Sequence, residues 1–193
     1  MHKFHLRGHL WWLIPVLIAV LLMLPRLSSP EFGLLDDGLN LRTAQEIADG
    51  DWETWDLSSG RFRPIYWLHW WIQYRIFGHN PLGYYIINTI LLGLSVTSLS
   101  LFLWFRTKTR WLAFAAAVLF LSAPPLFESI YTLGKGETVQ VCALSIWLVL
   151  GALYENSSHK GGRAGILAGM VLMVMVAAGV KAVSYTHLRA HET

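Results

Sequence analysis

The chain has 193 residues, of which 54% are hydrophobic and 14% are charged, and its formal net charge is +3 at pH 7. Average soluble domains carry about 25% charged residues, so this composition excludes an ordinary soluble domain and favours an α-helical membrane protein. The small basic excess lies in short segments between apolar runs, where it marks the cytoplasmic side of a membrane protein. We therefore expect a lipid bilayer, and no nucleic acid, as a partner.

Five apolar segments approach the length of about 20 helical residues that a bilayer core requires. They lie at about 10–27, 81–105, 111–127, 138–154 and 164–180. The third is short unless the chain continues past Pro124 and Pro125 as irregular backbone covered by protein. The predicted fold class is therefore all-α, a polytopic transmembrane helical bundle.

The first apolar segment has two interpretations. It follows the basic residues Lys3 and Arg7, as a signal peptide would. The sequence Leu27-Ser28-Ser29-Pro30 lacks an Ala-x-Ala pattern and places Pro immediately after the candidate cleavage site, so we predict an uncleaved anchor.

The short loops predict the sidedness of the chain, because Lys and Arg are enriched in cytoplasmic loops. The basic residues of three alternating segments are Lys3 and Arg7, then Arg106, Lys108 and Arg110, then Lys160 and Arg163. We therefore expect a multi-pass protein with a cytoplasmic N-terminus and with loops 28–80 and 128–137 outside.

The first exterior loop, 28–80, is predicted to contain two short helices. Apolar residues recur at helical spacing over 40–49, where Asp37 or Asn40 can cap the start and Gly50 ends the helix. The segment Pro64–Phe77 is rich in Trp and Tyr but too short to span. An amphipathic helix lying in the membrane interface accounts for it best.

The adjacent acids Asp36 and Asp37 also have two interpretations. An Asp before a helix commonly caps free backbone N–H groups. A carboxylate at the membrane face can instead act as general base on an acceptor hydroxyl. Neighbouring side chains diverge, so both interpretations can hold, with one Asp in a site and the other capping.

Cations accompany these acids on the exterior side. Arg61 and Arg63 end the first exterior loop, and Lys135 lies in the second. The guanidinium of Arg pairs well with phosphate oxygens, so these residues are candidate phosphate contacts. The alternative for each is contact with lipid headgroups.

The order of these features resembles a known family. Asp36-Asp37, Gly50-Asp51-Trp52 and Arg63-Pro64 resemble the first exterior loop of GT-C glycosyltransferases, which include protein O-mannosyltransferases and the aminoarabinose transferases of lipid A. Glu128-Ser129-Ile130 and Gly134-Lys135-Gly136-Glu137 are similar to the second exterior loop of the branch that often carries tetratricopeptide repeats. Lys181 falls where that branch has a Lys-Glu pair, whereas Arg-Pro here stands for the family's Lys-Pro-Pro variant.

The resemblance implies a transferase that moves a sugar from a polyprenyl-phosphate donor to a protein, lipid or glycan acceptor. The reaction would take place on the outer face of a bacterial cell membrane, with inversion in a single displacement. The implied catalytic residues are Asp36 and Asp37, of which Asp36, the first acid of the pair, is the better candidate for the base. The implied substrate-binding residues are Arg61, Arg63, Glu128, Lys135, Glu137 and Lys181.

Other chemistries remain as alternatives. The histidines His2, His5 and His9 lie in the predicted cytoplasmic tail, so we predict no metal and no cofactor, although some members of the family use a divalent cation. A non-catalytic membrane assembly subunit or a component of a transporter or flippase is also compatible with the composition. Transporters tend to place ionisable groups near mid-membrane, whereas here the interiors of the predicted spans contain none.

The last eleven residues, Val183–Thr193, interrupt the pattern. They are polar and follow abruptly after the fifth apolar segment. We interpret them as a translated sequencing adapter and leave them out of the fold prediction. The alternative is a genuine short tail. Residues 1–182 would then be the N-terminal part of the transferase domain, and the chain would lack the rest of its bundle.

Overall fold

A computed structural model describes residues 13–33, 36–51, 63–158 and 160–181. This part of the chain forms eight α-helices and contains no β-strand. The helices are α1 Leu13–Ser28, α2 Asp36–Ala48, α3 Pro64–Phe77, α4 Pro81–Thr107, α5 Arg110–Leu121, α6 Pro124–Tyr131, α7 Glu137–Asn156 and α8 Lys160–Val180.

Three of the described helices are long and apolar enough to cross a membrane: α4, α7 and the Gly161–Val180 part of α8. They correspond to the second, fourth and fifth predicted spans. Helix α1 is apolar but shorter, and residues 10–12 of the predicted first span lie outside the described residues. The all-helical class is therefore confirmed for the described chain, with three such helices.

The third predicted span, 111–127, differs from the structure. Helix α5 ends at Leu121, and α6 begins at Pro124 after a bend of 61°. Proline lacks an N–H group and pushes the preceding residue out of the helical region, and Ala123 is extended, with φ −70° and ψ 123°. From Pro124 the chain continues as the helix α6 and not as irregular backbone. The pair α5–α6 adds a fourth span if it crosses the membrane as one unit.

The two short helices predicted within segment 28–80 are present. The bounds of α3 agree with the prediction. Helix α2 begins at Asp36, four residues earlier than predicted. Asp36 and Asp37 therefore lie inside the first turn, where negative charge is favourable beside the free N–H groups, and the predicted capping position for Asp37 or Asn40 is wrong.

Helix α4 is central to the packing. It contacts α1, α5 and α7; α7 also packs on α8, and α3 packs on α2 and α8. Trp70 of α3 and Tyr84 and Tyr85 of α4 are almost completely buried, and the rings of Trp70 and Tyr84 lie 5.3 Å apart. The aromatic residues of the predicted interfacial helix thus form part of the core.

The charged residues separate to opposite ends of α4. Arg106, in its last turn, donates two hydrogen bonds of 2.5 and 2.7 Å to the carboxylate of Glu155 in the last turn of α7. Tyr85 lies in the first turns of α4, about 30 Å away at 1.5 Å per residue. The predicted exterior residues surround this second end.

Candidate functional site

A cavity of about 570 Å³ opens beside the acid pair, and we call it the acid cavity. Its wall is built by the end of α1, the start of α2, Tyr85 of α4 and the α6–α7 loop. The charged residues that line it are Arg26, Glu31, Asp36, Asp37 and Lys135. Segments far apart in the sequence therefore meet around the carboxylates.

The two adjacent acids have different environments. Asp37 is 3% exposed, and its Oδ2 accepts a hydrogen bond of 2.7 Å from the backbone N–H of Gly33. Asp36 is exposed. Asp37 thus ties the segment after α1 to the first turn of α2, whereas Asp36 is an exposed residue of the cavity wall.

The α6–α7 loop lies directly against the acid pair. A Cβ atom on Gly134 would lie 2.9 Å from the Cβ of Asp36 and 3.1 Å from Oδ1 of Asp37. The hydroxyl of Tyr66 donates a hydrogen bond of 2.9 Å to the carbonyl of Gly134. Only glycine fits this close approach, so Gly134 helps to fix the position of Asp36.

A second cavity, of about 130 Å³, adjoins the first, and we call it the cation cavity. Arg63, Lys135, Glu137 and Lys181 supply its charged groups. The Nζ of Lys181 lies 3.3 Å from Oε1 of Glu137, and the guanidinium of Arg63 lies 4.4 Å from the ring centroid of Tyr66. With three cations and one acid, this cavity is suited to an anion.

Lys135 lines both cavities. Its Nζ lies 2.5 Å from Oε1 of Glu128, and this hydrogen bond raises the pKa of Lys135. The ammonium group therefore stays charged at neutral pH. The Glu128 side chain is 65% exposed, and exposed ion pairs contribute little stability, so Lys135 can exchange this partner for a bound anion.

The structure brings most of the predicted site residues together. Asp36 and Asp37 line the acid cavity, whereas Arg63, Glu137 and Lys181 line the cation cavity. Lys135 lines both cavities, whereas Glu128 lines neither and forms an ion pair with Lys135. Arg61 lies outside the described residues.

Sequence reasoning did not single out Arg26, Glu31 and Tyr131 of the acid cavity. Arg26 could have been identified from the sequence, because it is a charged residue next to Pro25 at the end of an apolar helix. Tyr131 carried no such signal, because only the bend before α6 brings it to the end of α1.

The two cavities together present an open carboxylate beside a group of cations. Within the described residues, no group of three or more His, Cys, Asp or Glu side chains could hold a metal ion. Compared with protein-family models, curated proteins and solved structures, the chain has no match. The chemistry of the two cavities is therefore the basis for assigning a function.

Proposed function

We propose that this chain belongs to a polytopic membrane glycosyltransferase of the GT-C type. It would move a sugar from a polyprenyl-phosphate donor to an acceptor on the extracytoplasmic face of the membrane. The observation that carries the proposal is the wall shared by the two cavities, formed by Gly134 and Lys135. A phosphate on one side and an acceptor hydroxyl on the other would meet at Lys135.

The cation cavity suits the phosphate of the donor. Arg63, Lys135 and Lys181 offer charge-assisted hydrogen bonds, which are stronger than neutral ones. A volume of about 130 Å³ admits a phosphate group but not a polyprenyl chain. The polyprenyl tail would stay in the bilayer beside α8, where Val171 and Met175 are exposed; this helix ends next to Lys181.

The acid cavity suits the acceptor. Asp36 would remove the proton from the acceptor hydroxyl while that oxygen forms a bond to the anomeric carbon. The bond between the anomeric carbon and the phosphate oxygen would break in the same step. Polyprenyl phosphate would leave with the electron pair, and the cations stabilise its charge. Phosphate is a good leaving group, so no general acid is required.

Two other functions predict different features. The hydrogen bond from Gly33 to Asp37 fits a structural role, as in an assembly subunit, but it does not explain why Asp36 lines a cavity. A transporter usually needs charges within its spans. Within the described spans α4, α7 and α8, charged residues occur only in the end turns, and this favours chemistry at the surface.

Substitution of Asp36 tests the proposal. The experiment compares Asp36→Asn with Asp49→Asn in the protein expressed from its natural gene; Asp49 is an exposed acid of the same loop that lines neither cavity. Removal of a general base lowers the rate about 10²- to 10⁴-fold. We expect that loss in sugar transfer from a radiolabelled polyprenyl-phosphate sugar for Asp36→Asn only.

Two results would contradict parts of this proposal. If Asp36→Asn keeps its thermal stability and also full transfer, Asp36 is not the base. If the unmodified protein transfers no sugar from any polyprenyl-phosphate donor, the transferase assignment fails, and the assembly subunit becomes the leading function.

A further inference from the structure

The acid cavity contains a cation that the transfer step does not use. Arg26 lies in the last turn of α1 and lines the cavity. Among the described residues its guanidinium forms no hydrogen bond and no ion pair, and its buried Nε has no partner. Buried polar groups are nearly always hydrogen-bonded, so this side chain is available for a ligand.

Two tyrosine rings hold Arg26 in place. The centre of its guanidinium lies 5.7 Å from the ring centroid of Tyr85 and 5.5 Å from that of Tyr131. Both rings are themselves anchored: Tyr85 donates a hydrogen bond of 2.9 Å to the carbonyl of Glu31, and Tyr131 donates one of 2.5 Å to the carbonyl of Leu22. The donor groups of Arg26 are thus oriented before a ligand binds, which lowers the entropic cost of binding.

The neighbouring acids define what else the ligand must carry. Glu31 and Asp36 are exposed and line the same cavity, and neither forms an ion pair with Arg26. A bare anion would be repelled by these carboxylates, whereas hydroxyl groups would donate hydrogen bonds to them. An oxyanion would at the same time accept hydrogen bonds from the guanidinium of Arg26, whose planar donors match the geometry of carboxylate and phosphate groups.

We infer that the acid cavity binds a sugar that carries an oxyanion, either a phosphate or a carboxylate, and that Arg26 is the residue that recognises the oxyanion. The volume of about 570 Å³ lies within the usual range for small-molecule sites, about 300 to 1,000 Å³. The inference rests on the proposed function only in one respect, which is that this sugar would be the acceptor of the transfer reaction.

Calorimetric binding to the full chain in detergent micelles tests the inference, with glucose 1-phosphate, glucuronate, glucose and inorganic phosphate as probes. We expect the two acidic sugars to bind about tenfold or more tightly than glucose or inorganic phosphate, because a hydrogen bond to a charged group contributes this much. Arg26→Gln should remove the preference over glucose, and Arg26→Lys should restore only part of it. The control Arg42→Gln should change nothing, since Arg42 pairs with Glu46 on α2, 2.9 Å away, and lines neither cavity.

Several outcomes would overturn the inference. Equal binding of glucose and glucose 1-phosphate would exclude a role for the oxyanion, and equal binding of inorganic phosphate and glucose 1-phosphate would exclude the sugar. Failure of all four probes to bind would exclude the site. The ratio of glucose 1-phosphate to glucuronate affinity distinguishes the two oxyanions.

A second measurement covers the case in which Arg26→Gln does not fold. Phenylglyoxal modifies arginine side chains, and peptide mass spectrometry reports each site. Glucose 1-phosphate should protect Arg26 but not Arg42 in the unmodified chain, and equal protection of both would contradict the inference. Neither measurement depends on sugar transfer: specific binding without transfer would refute the proposed function alone, and transfer without Arg26-dependent binding would refute this inference alone.

Discussion

Asp36 and Asp37 are chemically identical neighbours, yet the structure gives them separate tasks. Successive residues of a helix point about 100° apart, so the side chain of Asp37 reaches the N–H of Gly33 while that of Asp36 stays exposed at the cavity wall. The buried acid uses its oxygen on a backbone N–H. The exposed acid keeps its oxygens available for a ligand.

At the residue scale, this division predicts a larger loss of stability for Asp37→Ala than for Asp36→Ala. Asp37→Ala would leave the N–H of Gly33 without its acceptor, at a cost of about 1 to 3 kcal/mol in the free energy of unfolding. Asp36→Ala removes an exposed side chain and should cost less than about 0.5 kcal/mol. Urea unfolding in micelles measures both values, and equal losses would refute the division.

At the scale of elements, the corner between α3 and α4 depends on two glycines, Gly78 and Gly83. A Cβ on Gly83 would lie 2.2 Å from Cγ of Phe77, the last residue of α3. The turn before it uses Gly78 at φ +55°, and the hydroxyl of Tyr84 donates a hydrogen bond of 2.9 Å to the carbonyl of Gly78. This corner orients α3, and with it Arg63 and Tyr66 at the cation cavity.

Gly83→Ala should therefore push the ring of Phe77 out of place and cost about 1 to 3 kcal/mol of stability. Gly93→Ala is a matched control in the same helix, because its nearest neighbour, Cγ1 of Val16, would be 3.9 Å from the new atom. Alanine is the better helix former by up to about 1 kcal/mol, so the control should be neutral or stabilising. Thermal unfolding compares the stability of the two variants. Equal stability would show that the ring of Phe77 adjusts freely and would contradict the prediction.

At the scale of the whole molecule, the two ends of the bundle differ in chemistry. One end carries both cavities, with Asp36, Lys135 and Lys181. The other end carries the Arg106–Glu155 pair and Arg163, whose guanidinium lies 4.4 Å from the ring centroid of Tyr154. Such a separation is what a membrane protein needs to work on one face of the bilayer.

The sidedness predicts which positions a membrane-impermeant maleimide reaches. Cys142 is buried, so Cys142→Ala gives a background for single cysteines. Asp49→Cys and Thr132→Cys should be labelled from outside intact cells, whereas Thr109→Cys and Ser158→Cys should be labelled only after permeabilisation, because positive loops stay in the cytoplasm. All four residues are exposed, and the reverse pattern would invert the orientation.

The amino-acid sequence by itself determined the all-helical class, three of the long apolar helices and the bounds of α3. These features follow from local properties: apolar runs of sufficient length, helical spacing and proline at a first turn. The sequence also indicated Asp36, Lys135 and Lys181 as site residues, although their role in catalysis stays a prediction.

Only the tertiary structure decided how those residues are grouped. Arg26 lines a cavity with Asp36 because α1, α2 and α6 meet there, and nothing in the local pattern around Tyr131 indicates that its ring lies beside Arg26. The bend of 61° before Pro124 has the same origin: proline disfavours a continuous helix, but packing against the bundle sets the direction in which the chain leaves. Contacts between distant segments thus assigned separate tasks to two adjacent carboxylates that the sequence leaves equivalent.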